Sequence, residues 1–333
     1  MAATAHAVEQ TVKRRKPINW TPYAFMGIPL AIYFMWIIIP TFYTFFLSTT
    51  NWNGIDSNPE ILTERLDDGT RVPDPLGNFE RLFARPPKDA EAWGKLITGR
   101  NVVTGDVFVA LRNNILWLLA FITVPTAFGL GLAMLLNGDM KGGRVYKIIF
   151  YAPLVLSGPV IGLIWAWVYH PADGLINTIL RAAGVGDPPG WLGDRGLTAN
   201  FAILVAAVWR QVGYVMILYL AGLKNIDPSL VDAALVDGAS RWQLFRRVIL
   251  PMLAPVTTIV MVISIIDSLR SFDLVRIMTN GGADTQVLAN MMYVEMEKYD
   301  YGLAAAVAVV LFLLTLMPIS IYLWRSVKTE LEY

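Results

Sequence analysis

Long stretches without a single charged residue constrain this chain more than any other feature. Residues 17–55 contain no Asp, Glu, Lys or Arg. Similar runs cover 113–138, 148–172, 248–266 and 301–324, and 201–223 is interrupted only by Arg210. About 20 mostly apolar residues are enough to cross the hydrocarbon of a bilayer as a helix. Within lipid every backbone amide needs an internal partner, so a span is a helix or part of a closed barrel. Runs this long, without two-residue alternation, select helices.

The expected architecture is therefore an all-α integral membrane protein of six transmembrane helices, at 23–47, 107–136, 148–169, 201–223, 251–272 and 301–324. Tails at 1–22 and 325–333, outer loops at 48–106, 170–200 and 273–300, and inner loops at 137–147 and 224–250 complete the chain. Basic residues set the orientation. The two tails and the two inner loops hold thirteen Lys and Arg, whereas the two short outer loops hold four. Both termini are thus expected in the cytoplasm. Lys13, Arg14, Arg15 and Lys16 precede the first span, but that span is too long for a cleaved signal and lacks a small-residue cleavage pattern. The basic cluster reads as an anchor at lipid headgroups. Tryptophans 20, 36, 52, 117, 165, 167, 209 and 324 fall near span ends, where interface anchoring is the ordinary role. Pro40, Pro125, Pro153, Pro159 and Pro318 are positions for kinks or helix ends. Gly158 and Gly162 have the spacing for a close helix contact.

Composition narrows the chemistry. Charged residues make up 16% of the chain, against about 25% in a soluble domain. The net charge is +1, which excludes a nucleic-acid protein that depends on a strong basic field. Cysteine is absent and the histidines are His6 and His170 alone, so disulfides, thiolate metal sites and cysteine nucleophiles are excluded. His170 reads as a loop residue. No catalytic residue, metal ligand set or cofactor site is expected, and the chain is expected to move a solute rather than break bonds.

The most informative loop is DPSLVDAALVDGASRWQLFRRVILP, residues 227–251. Asp227 before Pro228 is an N-cap with proline at the first helical position. Gly238 suits the left-handed residue that ends a helix, and Ser240 to Gln243 has the form of a capping box. Pro251 then opens the next span. A helix, a glycine corner and a second helix either pack beneath their own bundle or form a knob for another protein.

Asp232-Ala233-Ala234, Asp237-Gly238-Ala239, Phe245 and Leu250-Pro251 resemble the "EAA" loop of bacterial ATP-binding-cassette (ABC) importer permeases. Asp232 stands where that pattern has glutamate. Asn51-Trp52, residues 151–177, FDLVRIMTNGG (272–282) and residues 300–316 look like the sugar-permease branch of the same family, closer to its maltose-permease F type (MalF-type) than to its G type. The resemblance implies a binding-protein-dependent permease in the bacterial inner membrane that imports a carbohydrate. It implies four kinds of partner: a second permease of the G type (MalG-type), a cytosolic ABC ATPase dimer that binds ATP and Mg, an extracytoplasmic solute-binding protein, and the surrounding membrane lipids. It also implies ATPase coupling through Asp232, Ala233, Ala234, Asp237, Gly238, Ala239, Phe245 and Pro251. No G-x-x-x-x-G-K-[ST] phosphate loop occurs in the sequence, so ATP energy has to come from another chain.

Arg210, Tyr214, Asp267, Ser268, Arg270, Ser271, Phe272 and Asp273 are the candidate substrate path. Ionisable groups inside spans are costly unless paired or wet, and they default to function. Aromatic faces and charged groups also suit a sugar. Asp267 and Arg270 are three residues apart on one helix, so an internal ion pair is the alternative. An ion-gradient-driven secondary transporter is the competing function; it calls for inverted repeats, and none is seen. A membrane-embedded glycosyltransferase is a third. The 48–106 loop, with ten acidic and seven basic residues, is either a small outer cap or a solvated connector.

Overall fold

The computed structural model describes residues 21–56, 58–65, 70–98, 105–138, 140–194 and 197–331. Lys13 to Lys16, His6 and Trp20 lie outside these residues. The chain divides into two compact units, 1–43 and 44–333.

In the first unit the apolar chain forms α1 (Thr21–Tyr33), a π-helical turn (Phe34–Ile38) and the start of α2 (Ile39–Leu47). The π turn has a local cause. Pro40 has no amide hydrogen and its ring crowds the carbonyl four residues back. The helix widens, and Ile39 N–H reaches Phe34 O instead.

The second unit begins at residue 44 and passes through the 48–106 loop. There a short antiparallel hairpin pairs β1 (Thr63–Arg65) with β2 (Arg71–Pro73), with Glu64 opposite Val72. Helices α3 (Gly77–Phe83) and α4 (Ala90–Ile97) follow. This loop is folded and tied down. Buried Asn78 donates from Nδ2 to Ser48 O (3.0 Å) and Thr50 O (2.7 Å), and Arg81 pairs with Asp300 at 2.6 Å.

The long apolar helices are α5 (Asp106–Leu136), α9 (Leu197–Lys224) and α16 (Tyr301–Leu331). Together with 25–47 they are, among the described residues, the four single helices long and apolar enough to cross a membrane. Two bent pairs bring the number of spans to as many as six. The first pair, α6 (Gly143–Val155) and α7 (Gly158–Val168), turns by 104°. The run expected as a span at 148–169 is thus broken, at prolines marked in the sequence as kinks or helix ends. Pro153 and Pro159 flank the break at Leu156–Ser157, where the backbone is extended. The second pair turns by 68°. Helix α11 (Arg241–Leu244), a π turn (Phe245–Ile249) and α12 (Leu250–Met252) run without interruption through Pro251, and α13 (Ala254–Leu269) begins after Leu253. Pro251 thus lies inside the first helix of the pair, and Pro255 lies in the first turn of the second. This second π turn also directly precedes a proline: Leu250 N–H bonds to Phe245 O just before Pro251. Shorter helices α8 (Leu175–Ala182), α10 (Pro228–Val236), α14 (Asp273–Met278) and α15 (Leu288–Glu297) lie in the connections.

Three buried clusters follow one another along α5. Val107 and Ala110 pack with Leu288, Met291 and Val307. Trp117 and Phe121 pack with Ile161, Ile203, Ala206 and Val275. Ala133 and Leu136 pack with Val215, Met216, Tyr219 and Leu253. Trp117 is fully buried and stacks on Phe121 at 5.9 Å, so it belongs to the core and is not an interface anchor. Close approach depends on missing side chains. A Cβ on Gly213 would overlap Phe150 O of α6, and one on Gly129 would sit 2.6 Å from Val215.

Candidate functional site

A cavity of about 470 Å³ lies between the second and third clusters. Phe121 of α5, Leu154 of α6 and Ala207, Arg210, Gln211 and Tyr214 of α9 form one side. Ile263, Ile266 and Asp267 of α13, then Arg270, Ser271, Phe272, Asp273 and Leu274, form the other. Seven of the eight residues read from the sequence as a substrate path line this one space. Ser268 does not: it is fully buried and its hydroxyl donates to Ile265 O at 2.8 Å, within its own helix.

The chain bends open at this point. Helix α13 ends at Leu269 and α14 starts at Asp273, so Arg270, Ser271 and Phe272 leave the helix and reach the cavity. The internal Asp267–Arg270 pair, the alternative to a substrate role, does not form: among the described residues Asp267 makes no ion pair within 4.0 Å. Gln211 Nε2 instead donates to Asp267 Oδ2 at 3.2 Å. Two guanidinium groups and two carboxylates thus share a cavity without neutralising each other in contact. Gly158 and Gly162 make that arrangement possible. Their Cα atoms face α14, where a Cβ would lie 2.9 Å from Asp273 Cβ and 3.0 Å from Ile277 Cβ respectively. The close contact anticipated from their spacing therefore forms, with α14 as the partner.

The coupling loop has the local structure its residues call for. Asp227 Oδ1 accepts from Ser229 N–H at 2.9 Å, which holds the Asp227 carboxyl below its usual range. At the other end Gly238 has φ +80°. Ala239 N–H reaches Ala234 O at 3.0 Å and Gly238 N–H reaches Leu235 O at 3.1 Å, the two bonds that satisfy a helix end closed by a left-handed residue. Ser240 and Gln243 make both bonds of the capping box. Asp232, Ala233, Asp237 and Gly238 are exposed, and Ala234, Ala239 and Phe245 are half-buried. Leu235 and Val236 are exposed at 50% and 87%, an apolar tip left uncovered by the chain itself. Phe245 stacks near Trp242 at 5.5 Å.

Two groups of residues escaped sequence reasoning. Gln211 is the first; an uncharged amide beside Arg210 in an apolar run was the available signal. The second is a buried network. Arg112 donates to Asn113 Oδ1 (2.7 and 2.9 Å) and to Asp284 O (2.9 Å), and Asn113 and Asn200 also donate to Asp284 O. It fastens the 280–286 turn, where Asn280, Gly281, Ala283 and Asp284 all have positive φ, onto α5 and α9. The polar triplet Arg112-Asn113-Asn114 at the head of a span was its trace in the sequence.

The model for binding-protein-dependent transport system inner membrane components matches residues 123–325. A probable ABC transporter permease of Pyrococcus horikoshii is 36% identical over 227 residues, covering 67% of this chain and 77% of that one. The trehalose/maltose transport system permease protein MalF of Thermococcus litoralis is 34% identical over 267 residues, 75% of this chain and 90% of that one. A bacterial ABC transporter involved in import of the acidic polysaccharide alginate shares the fold, with a TM-score of 0.71 at 19% identity over 93% of this chain and 96% of that one. The helical membrane fold with its broken spans is thus that of ABC transporter permeases. The chain belongs to the family of binding-protein-dependent transport system inner membrane components, as its coupling-loop pattern implied.

Proposed function

We propose that this permease imports a carbohydrate through the cavity between α9 and α13. The charged cavity is the observation that carries the reading. Its volume lies within the range of about 300–1,000 Å³ typical of small-molecule sites. It offers Arg210, Gln211, Asp267, Arg270, Ser271 and Asp273 for hydroxyl groups, and Tyr214 and Phe272 for the C–H faces of sugar rings. The trehalose/maltose permease among its relatives favours a sugar. Arg210, Asp267, Arg270 and Asp273, left without ion pairs to each other, favour a wet, functional cavity over a structural pair.

In this reading a second permease of the G type supplies the other half of the path, and an extracytoplasmic binding protein delivers the sugar. A cytosolic ATPase pair binds ATP and Mg. Both termini of the chain are cytoplasmic, and the 224–250 loop is the contact with the ATPase. Asp232, Ala233, Ala234, Asp237, Gly238 and Ala239 form the docking tip, while Phe245 and Pro251 tie it to the bundle. Closure of the ATPase pair biases a permease with two states, and the sugar path opens to one side at a time.

Co-purification of the tagged chain from its native membrane, followed by uptake of radiolabelled trehalose and maltose into proteoliposomes, tests the reading. Recovery of an ATPase and a second permease, with uptake that requires ATP, is the expected result. A chain that is recovered alone and moves solute down an ion gradient without ATP is a secondary carrier, and the proposal fails.

A further inference from the structure

The helix that joins the coupling loop to the span carries a feature that coupling does not use. From Arg241 to Met252 it runs as one piece and then turns 68° into α13 at Leu253. One face is half-buried, with Ile249 packed beside Leu253 in the third core cluster. The other face is exposed: Trp242 at 64%, Arg246, and Leu250 at 39% follow at four-residue spacing, with Arg247 beside Arg246. Arg246 and Arg247 both lie in the π turn over Phe245–Ile249, and both are exposed. Among the described residues neither arginine has an acidic side chain within 4.0 Å.

We propose that this face is a binding site for anionic phospholipid headgroups, with Arg246 and Arg247 on the phosphate. The proposal rests on the reading above, which puts the 224–250 loop at the inner surface of the membrane. A helix turned by 68° at the entry to a span lies nearer the membrane plane than the membrane normal. Apolar residues on the same face as the arginines fit an interface and not open water. Tryptophan is the residue that sits at headgroup level. Guanidinium groups bind phosphate through paired hydrogen bonds. An ATPase cleft is the other conceivable occupant, but the row Trp242, Arg246, Leu250 alternates apolar and cationic groups as the headgroup boundary does.

The test titrates phosphatidylglycerol, with phosphatidylcholine as the control, against the full-length permease purified in mild detergent with its partners, and native mass spectrometry counts bound lipid. Each arginine close to an anionic surface is worth about fivefold in affinity. The double variant R246Q/R247Q is thus expected to weaken phosphatidylglycerol binding by roughly 25-fold, with phosphatidylcholine unaffected and the ATPase still bound. R246K/R247K, which keeps the charge, is expected to retain most of the binding and serves where the glutamine pair does not express. Unchanged phosphatidylglycerol binding in the glutamine variant overturns the proposal. So does loss of the ATPase with lipid binding intact, which would assign the face to the ATPase. A wild-type chain that binds no ATPase sinks the functional reading alone, since the lipid titration still reports on the arginines.

Discussion

Gly238 offers the sharpest test of the coupling loop, because its structure separates backbone strain from packing. Its φ of +80° is left-handed, and a Cβ placed on it would meet no other atom within 4 Å. Gly238→Ala therefore adds no clash and costs only the left-handed backbone, about 1–2 kcal/mol. That lowers the population of the closed corner by a factor of about 5–30. Gly238→Asn costs less, because asparagine tolerates this region. Gly238→Pro is incompatible with positive φ and also removes the N–H that bonds to Leu235 O at 3.1 Å, so the corner is lost. All three changes lie outside the spans and leave insertion intact. Proteoliposomes holding the complete importer, assayed in parallel for ATP hydrolysis and sugar uptake, should rank coupling as Gly, Asn, Ala, Pro. In the proline variant hydrolysis should continue or stop with no uptake at all. Normal uptake by Gly238→Pro, or equal losses for Ala and Asn, would refute the argument that the corner's backbone carries coupling.

The cavity makes a paired prediction. Asp267→Asn retains an oxygen for Gln211 but loses the charge, and should weaken sugar uptake by about tenfold, the value of one hydrogen bond to a charged group; Ser268→Ala, its buried neighbour, should leave uptake within twofold, as kinetics of both variants at matched expression would show. Gly213→Val drives a side chain into Phe150 O and should lower stability by about 1–3 kcal/mol as an overpacked contact, seen as a fall in Tm in detergent. Asp227 has its pKa lowered by Ser229 N–H; its folded pKa is depressed, so its capping is fully present above the unfolded value of about 3.9 and is lost as pH falls further, through the lowered folded pKa. The protection factor of the Ser229 amide, its exchange rate corrected for the intrinsic dependence on pH, should therefore fall on acidification, and Asp227→Asn, an equally good cap, should remove that fall.

Much of this protein follows from local chemistry and was legible in the residue order. The uncharged runs dictated membrane helices because unpaired amides are intolerable in lipid. Asp227-Pro228, Gly238 and the Ser240–Gln243 box set the loop's helix ends, because caps depend only on neighbours a few residues away. The EAA-like pattern carried the family for the same reason. Contacts between distant segments decided the rest. The 104° break near Leu156 falls at Pro153 and Pro159, which the residue order marks, but the 68° turn at Leu253 lies beyond Pro251, which α12 carries without a break. Asp267 and Arg270 sit three residues apart on one strand of sequence, which suggested a pair; the end of α13 at Leu269 carries Arg270 away, and Gln211 from α9 takes its place. Gly158 and Gly162 matter because α14 folds back onto them, and no spacing rule names that partner. Helix ends answer to a hydrogen bond within one turn, whereas the cavity exists only because helices far apart in the chain stop short of filling the space between them.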